Sequence, residues 1–247
     1  MCTVTLIKPG AAPGTLRLVT NRDEQHTRPA ALPPQVRRCG PRTALMPIDV
    51  VSQGTWVGVN DAGLIATLLN VKAPDADVSP EGRVSRGGIV PEMMRHADVE
   101  AAVEALKKIE ADRVMPFRLL LADGQRVARM RSNGRGLSVE LDDHSGLPLM
   151  LTSSGLGDHL VDLPRRALFD ADPPADTAAQ DHFHRHGWAD RTPLSVTMCR
   201  EDARTVSRTV IDMAPEGLVM SYVEVDRYGI EGPPSRQELP RLVGVSD

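Results

Sequence analysis

Residues 3–7 read Thr-Val-Thr-Leu-Ile, an alternating and β-branched run that predicts a strand. Residues 8–14 hold two prolines and two glycines and predict a turn; residues 15–20 predict a second strand. Folded as an antiparallel hairpin about its middle, the pair brings Cys2 opposite roughly Thr20. Residues 28–47 are rich in Pro and Arg and predict a long surface loop of the kind that borders sites. Strands are predicted at about 55–59 and 64–70, joined by the turn Asn60-Asp61-Ala62-Gly63, with a polar loop over 71–84. Asp98 is placed to cap a helix whose apolar stripe runs through Val99, Ala102, Val103, Leu106 and Ile109, as far as Glu110. Further strands are predicted near 117–122, 125–131, 137–141 and 148–152, helices at 160–169 and 175–184, and strands near 195–199, 206–212 and 218–225. The pattern implies one domain over 1–229. Residues 230–247, with three prolines and polar spacing, predict a loosely attached tail.

Composition narrows the class. The chain has 247 residues, enough for a substantial core. A formal net charge of −4 implies no general attraction to nucleic acid or acidic membrane. Three cysteines, Cys2, Cys39 and Cys199, are too few for a disulfide framework and imply a reducing, cytoplasmic setting. No apolar run is long enough for a membrane span, and no basic segment followed by an apolar stretch predicts a leader peptide.

Cys2 carries the most chemistry. Aminopeptidases generally remove Met before a small residue, which would leave Cys2 with a thiol and an α-amine together. The thiolate is a strong nucleophile, and an α-amine with a reference pKa of about 8 can accept the thiol proton near neutral pH. The hairpin puts Asn21-Arg22-Asp23-Glu24 beside it. Asp23 can hold the amine and Arg22 can lower the thiol pKa. The alternative is an ordinary first strand followed by a solvated polar turn.

Met1-Cys2-Thr3 followed by Asn21-Arg22-Asp23-Glu24 resembles the NRDE-motif family, also called transport and Golgi organisation protein 2-like. Gly54-Thr55-Trp56-Val57-Gly58-Val59-Asn60 is similar to that family's Gly-Thr-Trp-Leu-Gly-Val-Asn stretch. Leu68-Leu69-Asn70, Ser85-Arg86-Gly87 and the strand from Phe117 to Asp123 fit the same pattern, so the resemblance runs to about residue 225. It implies an α+β fold: the four-layer αββα sandwich of the Ntn hydrolases, with two mainly antiparallel sheets, related to the cholylglycine hydrolase and penicillin acylase branch. Three segments depart from the pattern. Thr20 stands where the bile-salt-hydrolase branch has Arg. Ser153-Ser154-Gly155-Leu156 lacks the Asn that commonly follows Ser. Asp202 to Ser207 replaces a Gly-Thr-Arg-Ser segment, with Arg204 as stand-in for its Arg.

Two functions follow from the resemblance. In the first, Cys2 attacks an amide or acyl carbonyl, with Arg22 and Asp23 beside it and Asn60 or Asn70 as oxyanion donor. Asn21, Glu24 and Trp56 then line the ligand site. In the second, the same fold binds and moves haem, an acyl lipid or acyl-CoA without catalysis, and Arg22, Arg86 and Arg204 hold a carboxylate or phosphate. The expected partner is a small-molecule substrate or ligand, and no cofactor is expected. His182, His184 and His186 alternate and could ligate a metal on a strand, but their segment reads as a helix end, and no metal is expected. Cys199 beside Arg200 reads as a buried strand cysteine or a reactive thiol.

Overall fold

A computed structural model gives the fold and describes residues 2–72 and 82–242. One sheet has the strand order β10-β1-β2-β11-β12-β13, with β1 Cys2–Ile7, β2 Leu16–Gln25, β10 Leu149–Ser153, β11 Ala203–Ala214, β12 Gly217–Glu224 and β13 Ser235–Leu239. The other runs β3-β4-β5-β6-β7-β8-β9, from β3 Leu32–Cys39 and β4 Arg42–Ile48 through β5 Val57–Asn60, β6 Ile65–Asn70, β7 Phe117–Ala122 and β8 Val127–Ser132 to β9 Leu137–Asp142. The strand pairs in both sheets are antiparallel. Helices α1 Ile89–Met93 and α2 Val99–Leu106 cover the second sheet; α3 Asp158–Ala171 and α4 Thr177–Arg185 cover the first. The result is a four-layer αββα sandwich.

Alternation along the strands builds these layers. Val4, Leu6, Leu16, Leu18, Ile211 and Met220 from the first sheet meet Leu45, Val57, Val59, Ile65 and Leu120 from the second in the central core. Met46, Ala66, Leu119 and Leu121 point the other way, under Val90, Met93, Val99 and Val103 of the helices. The Asp98 carboxylate accepts from the Ala101 amide as the expected N-cap. That helix stops at Leu106 rather than Glu110, because Lys108 and Ile109 already bond three residues back in a tightened last turn. No helix among the described residues is long and apolar enough to cross a membrane.

Four expectations are corrected. Cys2 pairs with Arg22 rather than Thr20, since the hairpin closes at Ile7–Arg17. A slip of two keeps every side chain on its expected face. Residues 28–47 are not a loop: β3 and β4 form a hairpin turned at Gly40, whose φ of 59° suits glycine. Pro33 and Pro34 are tolerated because β3 is an edge strand whose register shifts between Leu32 and Gln35. Residues 195–199 form no strand beyond a bridge from Cys199 to Arg204. Within the predicted tail, residues 235–239 are not loose, since β13 pairs with β12 over Leu218–Leu239 to Tyr222–Ser235. Most of the predicted 71–84 loop, residues 73–81, lies outside the described residues.

A buried polar network fastens α4 to β1 and β2. His184 is fully buried; its Nε2 lies 2.8 Å from the Thr5 hydroxyl and its Nδ1 3.1 Å from Asn21 Oδ1. Gln180 Nε2 donates to the same Thr5 hydroxyl at 2.8 Å. Asn21 Nδ2 donates to the backbone oxygens of His184 (2.8 Å) and Val196 (3.0 Å). Burial, joined by the charges of Arg208 and Arg17, holds the His184 pKa well below the usual histidine value. The unfolded chain therefore takes up this proton first, so stability falls as pH drops below about 6.5, by up to about 1.4 kcal/mol per pH unit. Urea melts at pH 7.5 and 5.5 test this: His184→Gln is expected to remove that part of the slope, and an unchanged slope would contradict it.

Candidate functional site

A cavity of about 620 Å³ lies at the end of the sandwich where β1 begins and β2 ends. Cys2, Arg22, Asp23, Trp56, Asn70 and Arg86 all line it. Cys2 and Arg22 are cross-strand partners and so share the face between the sheets, while Asp23 pairs with Thr205 of β11 on the face toward the helices. The Cys2 thiol is 5% exposed. Burial, joined by the Asp23 charge, pushes its pKa up; the neighbouring Arg22 charge and the Asp23 backbone N–H act the other way.

Asp23 is a buried carboxylate. Burial raises its pKa, opposed by the Arg165 charge and by the Thr205 hydroxyl, which donates to Oδ1 at 2.7 Å. Arg165, on α3, is itself 1% exposed. Its Nη1 donates to the hydroxyls of Thr3 (2.7 Å) and Thr152 (3.0 Å), Nη2 to the Ser195 backbone oxygen (2.6 Å) and Nε to that of Leu194 (3.0 Å). Thr3 follows Cys2, and Thr152 donates to the Cys2 carbonyl at 3.3 Å. One guanidinium thus fixes the start of β1 from beneath.

Asp49 organises the opposite wall. Its carboxylate takes both Nε and Nη2 of Arg28, at 2.9 and 2.8 Å, and Nη2 of Arg22 at 2.7 Å. The backbone N–H groups of Val51 and Ser52 also donate to it. Burial alone would raise the Asp49 pKa; the Arg28 hydrogen bonds, the Ser52 amide and both cations outweigh it and hold the value at about 2. Glu24 adds a second carboxylate, 3.3 Å from Arg22 and 3.6 Å from Arg28. The Arg22 guanidinium also lies 4.6 Å from the Trp56 ring centre.

Three residues singled out in the sequence lie outside this cavity. Asn60 is spent on structure: it donates to the Met94 and His96 carbonyls at 3.1 and 2.7 Å and accepts from the Ala62 and Leu64 amides. It fixes the β5–β6 turn against the end of α1. Asn21 is absorbed by the α4 network. Arg204 donates to the Thr205 and Val225 carbonyls and lines two neighbouring cavities. Asn70 stays exposed on the cavity wall. Ser154, where the related pattern has Asn, lines the cavity with its Oγ accepting from the Leu156 amide. Cys199 lines a separate cavity. No cluster of three or more metal-ligating side chains occurs among the described residues.

Residues 1–161 match the family model for Transport and Golgi organisation 2, a span that includes Cys2 and the whole Asn21–Glu24 segment. The chain belongs to this family. No curated protein matches it in sequence. Among solved structures it is similar to two variants of conjugated bile acid hydrolase from Clostridium perfringens. One has TM-score 0.56 and 11% identity over 99% of both chains; the other has 0.53 and 12%, over 100% of this chain and 99% of that one. A Caenorhabditis elegans orthologue of N-acylethanolamine-hydrolyzing acid amidase is similar at TM-score 0.52 and 12% identity, over 85% of this chain and 92% of its own. At such identities the likeness shows the Ntn-hydrolase fold.

Sequence reading missed Arg165 and Asp49 in this Transport and Golgi organisation 2 family member. Arg165 had a signal: it sits between Val161 and Phe169 at four-residue spacing, on the stripe that faces the sheet. A cation at such a position is buried and needs partners. Arg165→Met should leave the Leu194 and Ser195 carbonyls without this donor and remove the strongest charge opposing burial of Asp23, costing about 3 kcal/mol. Chemical denaturation measures this, and a loss below about 1 kcal/mol would contradict the assigned role.

Proposed function

We propose that the protein is an N-terminal-nucleophile hydrolase in which Cys2 attacks an amide or acyl carbonyl. The observation that carries this reading is the placement of Cys2 in the wall of the cavity, with Arg22 across the strand and Asp23 beside it. Burial keeps the thiol protonated, so it needs a base at hand. Removal of Met1 would supply one, the neutral α-amine of Cys2, and Asp23 would stabilise the ammonium formed once the proton has moved. The amine takes the thiol proton and the thiolate attacks the carbonyl carbon. Asn70, on the cavity wall, donates to the developing oxyanion. The ammonium then protonates the leaving amine, and water releases the acyl group from sulfur. The substrate is a small molecule, and the setting we propose is cytoplasmic.

The raised thiol pKa gives a second reading some support: the cavity binds an acyl lipid, acyl-CoA or haem without chemistry. The two readings differ in what Met1 removal does. As a hydrolase, the processed protein should react at Cys2 with iodoacetamide at pH 7 at least about ten-fold faster than the Met1-retaining form, and faster than at Cys39 or Cys199. Asp23→Ala should slow that reaction. Equal rates in the two forms, measured by peptide mass spectrometry, would sink the hydrolase reading.

A further inference from the structure

Four arginines and one lysine line the Cys2 cavity, and three of these cations are matched. Arg22 and Arg28 share Asp49 and Glu24, and Arg200 pairs with Asp202 at 2.6 Å. Arg86 and Lys72 have no carboxylate within ion-pair distance among the described residues. Arg86 spends Nη1 on the Pro116 carbonyl at 2.8 Å, leaving its other nitrogens without an acceptor among the described residues. It is half-buried, and that burial lowers its pKa. Partly desolvating a guanidinium without a counter-charge is unfavourable, and proteins ordinarily pair such groups.

The surroundings hold this cation in place. Arg86 opens a short turn, Arg86–Gly88, capped by the Ser85 hydroxyl, which accepts from the Gly87 amide at 3.2 Å. The Thr55 amide donates to the Gly87 carbonyl at 3.2 Å. Gly54 lies so close that a Cβ there would fall 2.4 Å from the Gly87 oxygen. The turn is therefore clamped, backbone against backbone, to the loop that carries Asp49. Lys72 is exposed two residues beyond Asn70, on the chain leaving β6. Asn70, Lys72 and Arg86 thus bring to one cavity an uncharged donor and two cations that no carboxylate among the described residues pairs.

We propose that Arg86, with Lys72, binds a carboxylate or phosphate borne by the ligand whose carbonyl faces Cys2. This rests on the hydrolase reading for the orientation of the ligand, and makes the substrate class an anionic amide or acyl compound. The fork of Arg86 nitrogens left by Pro116 suits an oxyanion.

Calorimetry with succinamate, which carries one carboxylate and one amide, and succinamide, its neutral counterpart, tests the site. A Cys2→Ala background prevents turnover. Succinamate is expected to bind about ten-fold more tightly than succinamide, the gap that one charge-assisted hydrogen-bond pair provides, and inorganic phosphate should compete with it. Arg86→Gln should bring the two affinities together, and Arg86→Lys should keep part of the gap. The ratio compares two ligands on one protein, so a general loosening cancels. If Arg86→Gln does not fold, Arg86→Lys and Lys72→Gln carry the test. Equal binding of both compounds, or a gap that survives Arg86→Gln with Lys72→Gln, overturns the proposal. Absence of Cys2 labelling in the processed wild type, with the gap intact, instead overturns the hydrolase reading and leaves the anion site standing.

Discussion

A buried guanidinium underlies the arrangement around Cys2. Arg165 reaches from α3 through the helix-facing side of the first sheet and bonds to the residues that flank Cys2 in sequence and across the strand pair. Its charge also opposes the cost of burying Asp23. Without it, the desolvated Asp23 carboxylate would lose the strongest charge that opposes its burial. The helix layer over the first sheet is therefore part of the site, although no residue of α3 or α4 lines the cavity.

The opposite wall works by the same physics with more exposed side chains. Asp49 gathers Arg22 and Arg28 and keeps Arg22 over Trp56. Arg22 can then act on the Cys2 thiol only as a fixed, partly neutralised charge. Opposing influences therefore meet at the sulfur: burial and the Asp23 charge, which favour the thiol, and the Arg22 cation with a backbone N–H, which favour the thiolate. Burial prevails, which is why a base on Cys2 itself is central to the chemistry we propose.

Much of this was legible in the sequence, and the gaps have physical causes. Period-two alternation located most strands, and Asp98 announced its helix. The motif run Asn21–Glu24 was placed beside Cys2 correctly, because a two-residue slip preserves faces. Pro33 and Pro34 concealed β3, since proline argues against a strand unless that strand lies at an edge, and edges are a property of the whole sheet. Asn21 reads as a ligand-lining residue and Asn60 as an oxyanion donor, yet each is consumed by main-chain groups distant in sequence. Arg165 and Asp49 acquire their roles from partners contributed by other elements.

The central claim is that Cys2 is a carbonyl-directed nucleophile. Its most direct test is to incubate the Met1-processed protein with an activated ester, 4-nitrophenyl acetate, and follow the mass of the N-terminal peptide against time. The account predicts an acetyl group on Cys2 that forms within the burst of 4-nitrophenol release and is then discharged by water. Release of 4-nitrophenol without acetyl at Cys2, or acetyl confined to surface lysines, would contradict it.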